Sequence, residues 1–313
     1  MKQHFVPQCY LKAWCDPDTP KGHEPYVWKF SKDGKTVKRA APRKIFRESD
    51  MYTIALPDES KDYRLERGLH DLEDQFVRIR DTKLSKEKEV TFEEHVLLLA
   101  FVAAMHNRTQ VQRNHQKEQW GRVFEVMDKM KKWAETATPE QKRAAASMSL
   151  SGGKDTGLTY DDVKKLATEP MQHLLFQMIQ TEVPLLNKLN IAILRTDVSP
   201  GFITSDRPCV WFDPKAYLRP PFYRAPALMY PTIEITLPIS PSQLIYLNRA
   251  GIEGYADLAP IMVEELNRRT RFHADKYFVV SKNATKRIWF DPGIEPEDSW
   301  ERQAKKRGKP TNA

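Results

Sequence analysis

The chain has 313 residues, 40% of them hydrophobic and 29% charged, which is enough to bury a sizeable core in one or two domains. Its longest apolar run, 96–105, is too short to cross a bilayer, its start lacks the apolar segment of a secretory signal, and its three cysteines form no zinc or redox spacing, so a cytoplasmic protein without a membrane partner is expected. The net charge of +8 and pI near 9.2 admit a nucleic acid or nucleotide as partner, although Lys305, Lys306, Arg307 and Lys309 place part of that charge on a basic, flexible tail, 296–313.

The opening stretch, Gln3-His4-Phe5-Val6-Pro7-Gln8-Cys9-Tyr10-Leu11-Lys12-Ala13-Trp14-Cys15, is more apolar than chain termini usually are. Five large apolar residues around one histidine predict that the terminus docks into the body and fixes His4 in place. A loop follows, and then 26–30 and 36–38 flank an Asp33-Gly34 turn, the signature of a β-hairpin. Residues 51–56 read as a third strand, ended by Pro57.

Leu65, Leu69, Leu72, Phe76 and Ile79 recur at helical spacing, with Glu66 and Glu73 beside the stripe. The segment 81–89 reads as a charged linker. Thr91 with Glu93 and Glu94 marks the start of a second helix, apolar all round over 96–105. That helix is expected to run on past His106, Asn107 and Arg108 towards Trp133, with Gly121 as a bend. The stretch 134–158 reads as a surface excursion. Its Ser-Leu-Ser-Gly-Gly-Lys-Asp-Thr-Gly segment lacks the spacing of a phosphate-binding loop. Another helical stretch, 160–186, is interrupted at Pro170 and Pro184.

From Leu189 the pattern turns to strands, at 191–194, 202–204, 209–212, 233–237, 244–247 and 277–280, with one helix over about 258–272. Strands, helices, then strands predict an α+β fold whose helical middle layer packs on a mainly antiparallel sheet built from N- and C-terminal strands. A single domain, 1–295, is expected, comprising a β portion (1–57), a helical portion (60–188) and a second β portion (189–295).

Four polar residues stand out against apolar surroundings. His4 lies in the apolar opening. Arg108 leaves the apolar face of a buried helix, where a guanidinium keeps its charge and needs a carboxylate or a phosphate; Glu73 and Asp206 are the carboxylates considered. Asp206 sits between two short strands in Ser205-Asp206-Arg207-Pro208, as a turn residue, a general base or a metal ligand. Asn267 sits in a helix beside core-facing Leu266. Arg108 and His115 also have the Arg-x6-His spacing of all-helical endoribonucleases, but this chain is far from all-helical.

The opening His4-Phe5-Val6-Pro7-Gln8-Cys9-Tyr10-Leu11-Lys12-Ala13-Trp14 resembles a bacterial family of unknown function. Its members begin His-[Phe/Tyr]-Val-Pro-x-x-[Tyr/Phe]-Leu-x-x-[Phe/Trp]. The resemblance extends through Glu66 and Glu73, Arg108-Thr109, Ile203 with Thr204-Ser205-Asp206-Arg207-Pro208, Leu237-Pro238-Ile239-Ser240-Pro241 and Leu266-Asn267, and spans about 3–281. Many members carry Asn at the position of Arg207. The resemblance implies which residues belong together, and it brings no activity with it.

Together these residues predict one shared pocket of His4, Arg108, Asp206 and Asn267. Such a set suits hydrolysis of a phosphodiester. His4 or Asp206 would move protons, Arg108 would stabilise phosphate charge, and Glu73 or Glu66 with Asp206 would hold a divalent ion, magnesium or manganese. The leading expectation is therefore a nuclease in a bacterial defence or toxin setting. A non-catalytic sensor that binds a nucleotide or nucleic acid through Arg108 is the alternative, and a buried polar network pinning the N-terminus to the core is the structural one.

Overall fold

The computed structural model describes residues 2–56, 58–147, 157–292 and 299. The basic tail apart from Ser299, Pro57 and most of the Gly- and Ser-rich segment therefore lie outside the described residues. The chain begins with β1 (Lys2–His4) and the single helical turn α1 (Gln8–Leu11). The predicted hairpin is present as β2 (Val27–Ser31) and β3 (Val37–Ala40), joined at Gly34, whose φ of 74° is the left-handed turn that glycine permits. Three short strands follow, β4 (Arg47–Ser49), β5 (Ile54–Ala55) and β6 (Lys61–Asp62). The expected strand over 51–56 shrinks to the two residues of β5. Met51 and Tyr52 turn inward as core residues, and Tyr52 N–H is taken by the Gln3 side chain at 2.7 Å instead of by a neighbouring strand.

Helix α2 (Arg64–Thr82) buries Leu69, Phe76 and Ile79, the predicted stripe. Helix α3 (Phe92–Asn107) starts with a capping box in which Thr91 and Glu94 satisfy each other's backbone N–H groups. The helix does not run on. It stops at Arg108, and Thr109 turns extended and caps a separate helix, α4 (Gln110–Thr136), by accepting from Gln112 N–H. Gly121 lies inside α4. The remaining helices of this portion are α5 (Pro139–Ser147), α6 (Tyr160–Thr168) and α7 (Pro170–Leu186); Pro170 opens α7, and Pro184 sits within it.

The second β portion contains β7 (Asn190–Arg195), β8 (Thr204–Ser205), β9 (Val210–Phe212), β10 (Glu234–Pro238), β11 (Gln243–Asn248) and β12 (Gly254–Asp257), then α8 (Pro260–His273) and β13 (Tyr277–Val280). The fold is α+β and its pairing mainly antiparallel, but among the described residues the strands form four sheets where one was expected. A five-stranded sheet, β12-β7-β11-β10-β9, contains only C-terminal strands, with β12 parallel to β7. The four-stranded sheet β3-β2-β13-β8 joins N- and C-terminal strands, with Phe278 opposite Phe30 and the two rings stacked at 5.2 Å. No helix among the described residues is long and apolar enough to cross a membrane.

The apolar opening does dock. Phe5, Val6, Tyr10, Leu11 and Trp14 are all buried in the main hydrophobic cluster, with residues of α2, α3, α7 and the five-stranded sheet. Polar ends of the same residues reach across the molecule. Tyr10 Oη shares a hydrogen bond with Thr204 Oγ1 at 2.7 Å and donates to Pro238 C=O at 2.6 Å, and Trp14 Nε1 donates to Phe202 C=O at 2.8 Å. Buried tyrosine and tryptophan need such partners, and here those partners lie in the C-terminal strands and loops. The N-terminal segment is thus fastened on both sides before His4 is considered.

Candidate functional site

His4 ends β1, where it faces Arg47 in the β1–β4 pair. Its backbone carbonyl is the centre of a buried polar knot. Arg108 Nη2 donates to it at 2.6 Å, and Tyr52 Oη lies 3.5 Å away. Arg108 Nη1 donates to Glu73 Oε1 at 2.6 Å, and Nε donates to Tyr52 Oη at 3.3 Å. The Cys9 thiol donates to the other Glu73 oxygen at 3.8 Å. The Arg108 side chain is only 3% exposed. Burial works against its charge, but Tyr52 and Glu73 outweigh that and hold the guanidinium above its ordinary pKa. The position follows from the break between α3 and α4: Arg108 is the residue at which the buried helix ends, so its side chain enters the core beside α2.

This knot forms one wall of an open cleft of about 490 Å³ lined by His4, Gln8, Cys9, Lys12, Glu66, Arg67, His70, Glu73, Asp74 and Arg108. Helix α2 supplies Glu66, His70 and Glu73 at i, i+4 and i+7, one face of a helix. Helix α1 and the residue after it supply Gln8 and Lys12 one turn apart. The imidazole of His4 is half-buried. Burial lowers its pKa below 6.5, as do Arg108 and Arg47, against an opposing pull from Glu73 and a hydrogen bond to the Arg43 backbone. Its Nε2 is buried and has no partner, so the Arg43 contact falls to Nδ1. Glu66 moves the other way. Burial raises its carboxyl above 4.5, Arg108 opposes, and the nearby Glu73 charge adds to the rise. Burial beside Glu73 pushes the Cys9 thiol up to about 12, so it is a protonated donor and not a nucleophile.

The structure brings His4, Arg108, Glu66 and Glu73 together. It does not bring Asp206 or Asn267 to them. Asp206 Oδ1 accepts from Asp275 N–H at 2.8 Å, and its Oδ2 accepts from Lys276 and Tyr277 N–H at 2.7 and 2.9 Å. The carboxylate closes the turn between α8 and β13, where three backbone donors have no strand partner. Burial raises its pKa and those three N–H groups pull against the rise. Asn267 is likewise spent on backbone: its Nδ2 donates to Gly201 C=O at 2.9 Å and its Oδ1 accepts from Ile203 N–H at 2.9 Å. The expected pairing of Glu73 with Asp206 around a metal ion is therefore not formed. No group of three His, Cys, Asp or Glu side chains among the described residues is placed to hold a metal ion. His115 is exposed on α4 against Gln119, while Arg108 faces the core, so the Arg-x6-His spacing does not assemble a site.

Lys12, Arg67, His70 and Tyr52 were not marked by the sequence reading. The i, i+4, i+7 spacing of Glu66, His70 and Glu73 was a readable signal for His70. Tyr52 was hidden by the strand expected over its segment.

A buried arginine–carboxylate pair that holds a histidine at the edge of a polar cleft defines a candidate acid–base site on an α+β scaffold. The family described as a protein of unknown function (DUF4238) matches residues 2–285, and the chain belongs to it. No curated protein and no solved structure matches the chain.

Proposed function

We propose that the His4 cleft cleaves phosphodiesters by acid–base chemistry, with RNA as the favoured substrate class. One observation carries this reading: the His4 imidazole, whose buried Nε2 has no partner, lines an open cleft with a half-buried carboxyl, the exposed cations Lys12 and Arg67 and a clamped Glu73–Arg108 pair. With Nδ1 engaged by the Arg43 backbone, the neutral ring presents its basic lone pair at Nε2. A histidine with a lowered pKa and a carboxyl with a raised one are suited to act as base and acid.

In this reading substrate binding turns the His4 ring so that its Nε2, buried in the free protein, meets a ribose 2′-hydroxyl and takes its proton as that oxygen attacks phosphorus. Glu66 gives a proton to the departing 5′-oxygen. The P–O5′ bond breaks as the P–O2′ bond forms, leaving a 2′,3′-cyclic phosphate and a 5′-hydroxyl. Lys12 and Arg67, exposed at the cleft, offset charge on the phosphoryl oxygens. Arg108 has its donors on Glu73, Tyr52 and the His4 carbonyl, so its part is to position His4 and not to grip phosphate. The same occupancy weakens the sensor alternative in which Arg108 anchors the ligand.

The test incubates the purified protein with RNA, single-stranded DNA and nucleotides, with chelator and with magnesium or manganese, and identifies the product ends. Cleavage of RNA in chelator to cyclic phosphate ends is expected, with His4→Ala and Glu66→Gln each slower by about 10²–10⁴-fold. Wild-type cleavage equal to that of His4→Ala overturns the assignment. Tight nucleotide binding without turnover supports the sensor instead.

A further inference from the structure

A second polar surface lies where the end of α8, the β2–β3 turn and the start of β13 meet. Lys32 N–H donates to Lys276 C=O at 2.8 Å, and Arg271 Nη1 donates to Lys32 C=O at 3.4 Å, so three cationic residues share one patch. A shallow depression of about 460 Å³ between them is lined by Ser31, Lys32, Asp33, Arg271, Lys276 and Tyr277. Asp33, its one carboxylate, already accepts from Ser31 Oγ at 2.6 Å and from Lys35 N–H at 3.1 Å.

Two neighbouring arginines of α8 are neutralised by carboxylates. Arg268 is held by Glu265, and Arg269 by Glu265 and Glu234. Among the described residues, Lys32, Arg271, Lys276 and the neighbouring Arg207 form no ion pair, and Arg271 Nε is buried without any partner. Two of them, Arg207 and Lys32, register on His273. Its pKa falls to about 4 through burial first and then through Arg207, Lys32, Arg269 and Arg268, with no carboxylate among the causes. A concentration of unpaired cations of this kind favours an anion with several charges. Phe272, 53% exposed at the same edge with Lys32 Nζ 5.8 Å from its ring centre, adds a flat aromatic face.

We propose that this surface binds the phosphate backbone of a single-stranded nucleic acid, with Lys32, Arg271 and Lys276 on successive phosphates and Phe272 as a stacking platform for a base. The chemistry of the His4 cleft plays no part in it. The strand is recognised by charge and stacking, so sequence preference is weak.

The probe is a short fluorescein-labelled single-stranded DNA, which has no 2′-hydroxyl for the cleft to use. Its affinity for the full chain is read by anisotropy against salt. Three neutralised phosphates give a log–log slope near −2.1, so affinity falls about 20-fold between roughly 50 and 200 mM salt. Lys32→Ala/Lys276→Ala alters only side chains at the surface and leaves one contact, a slope near −0.7 and a fall of about threefold over the same range. A control, Lys117→Ala/Lys129→Ala on α4, removes the same charge elsewhere and keeps the wild-type slope. Lys12→Ala/Arg67→Ala, which removes the cleft's two exposed cations, also keeps it, which separates this surface from the cleft. The proposal is overturned by no binding at low salt, by an unchanged slope in the patch variant, or by an equal drop in the α4 control.

Discussion

The clearest energetic consequence concerns Arg108. Replacing it with Met keeps much of its length and removes the guanidinium. Three hydrogen bonds are lost: to Glu73 at 2.6 Å, to the His4 carbonyl at 2.6 Å and to Tyr52 at 3.3 Å. The Glu73 side chain is only 14% exposed, so its carboxylate is left with the Cys9 thiol alone. Breaking a buried pair from one side costs about 3–5 kcal/mol, most of it from stranding the remaining charge. Adding Glu73→Gln removes that stranded charge, so the double variant should be more stable than the sum of the two single losses by about 1.5–3 kcal/mol. Urea denaturation followed by circular dichroism measures all four corners of this cycle. If Arg108→Met costs under about 1 kcal/mol, the range of exposed pairs, the knot is not a buried clamp and the reasoning fails. Strict additivity would contradict it equally.

Three further outcomes follow from the same geometry. Asp206→Asn should cost at least about 1.5–3 kcal/mol, because an amide nitrogen would meet donors now accepted by a carboxylate; Asn267→Ala should cost about 2–5 kcal/mol by orphaning the Gly201 carbonyl and Ile203 N–H. Both losses are read by denaturant midpoint, and cleavage per folded molecule should remain; stable variants that are catalytically dead would return these residues to the chemistry. The pH–rate profile should be bell-shaped, since His4 must be neutral and Glu66 protonated, with its maximum midway between the lowered His4 pKa and the raised Glu66 pKa. Glu66→Gln should remove the alkaline limb, and a profile unchanged by it would dismiss Glu66 as the acid. Because the folded His4 pKa lies below its unfolded value of 6.5, its neutral form contributes stability that is present above 6.5 and lost as pH falls through the lowered value. His4→Gln should therefore flatten the stability–pH curve below 6.5, and an identical curve would show that the ring is not desolvated.

Much of the fold could be read from periodicity. The hairpin of β2 and β3, the stripe of α2, the capped start of α3 and strand β13 all follow from local pattern. The end of α3 is harder to see, because the side chain of Arg108 is held by tertiary partners, Glu73 and the His4 carbonyl, while Thr109 caps the next helix locally. The separation into four sheets depends on long-range pairing that no local window contains.

The site was half legible for a similar reason. Of the four polar residues in apolar surroundings, Arg108, Asp206 and Asn267 are buried and His4 is half-buried, and buried polar groups need partners. Sequence does not say whether that partner is a side chain in a cleft or a backbone group at the end of a strand. Arg108 belongs to the first kind, paired with Glu73 and Tyr52, while the His4 ring meets only the Arg43 backbone beside that cleft. Asp206 and Asn267 belong to the second, because the turns at 274–277 and 201–203 leave N–H and C=O groups that no strand can pair.

The central claim is that His4 is the base of a phosphodiester-cleaving cleft. Single-turnover cleavage of RNA in chelator by wild type and His4→Ala, normalised to folded protein, tests it most directly. The account predicts that His4→Ala is slower by about 10²–10⁴-fold while retaining its secondary structure. Equal rates for the two folded proteins would contradict it.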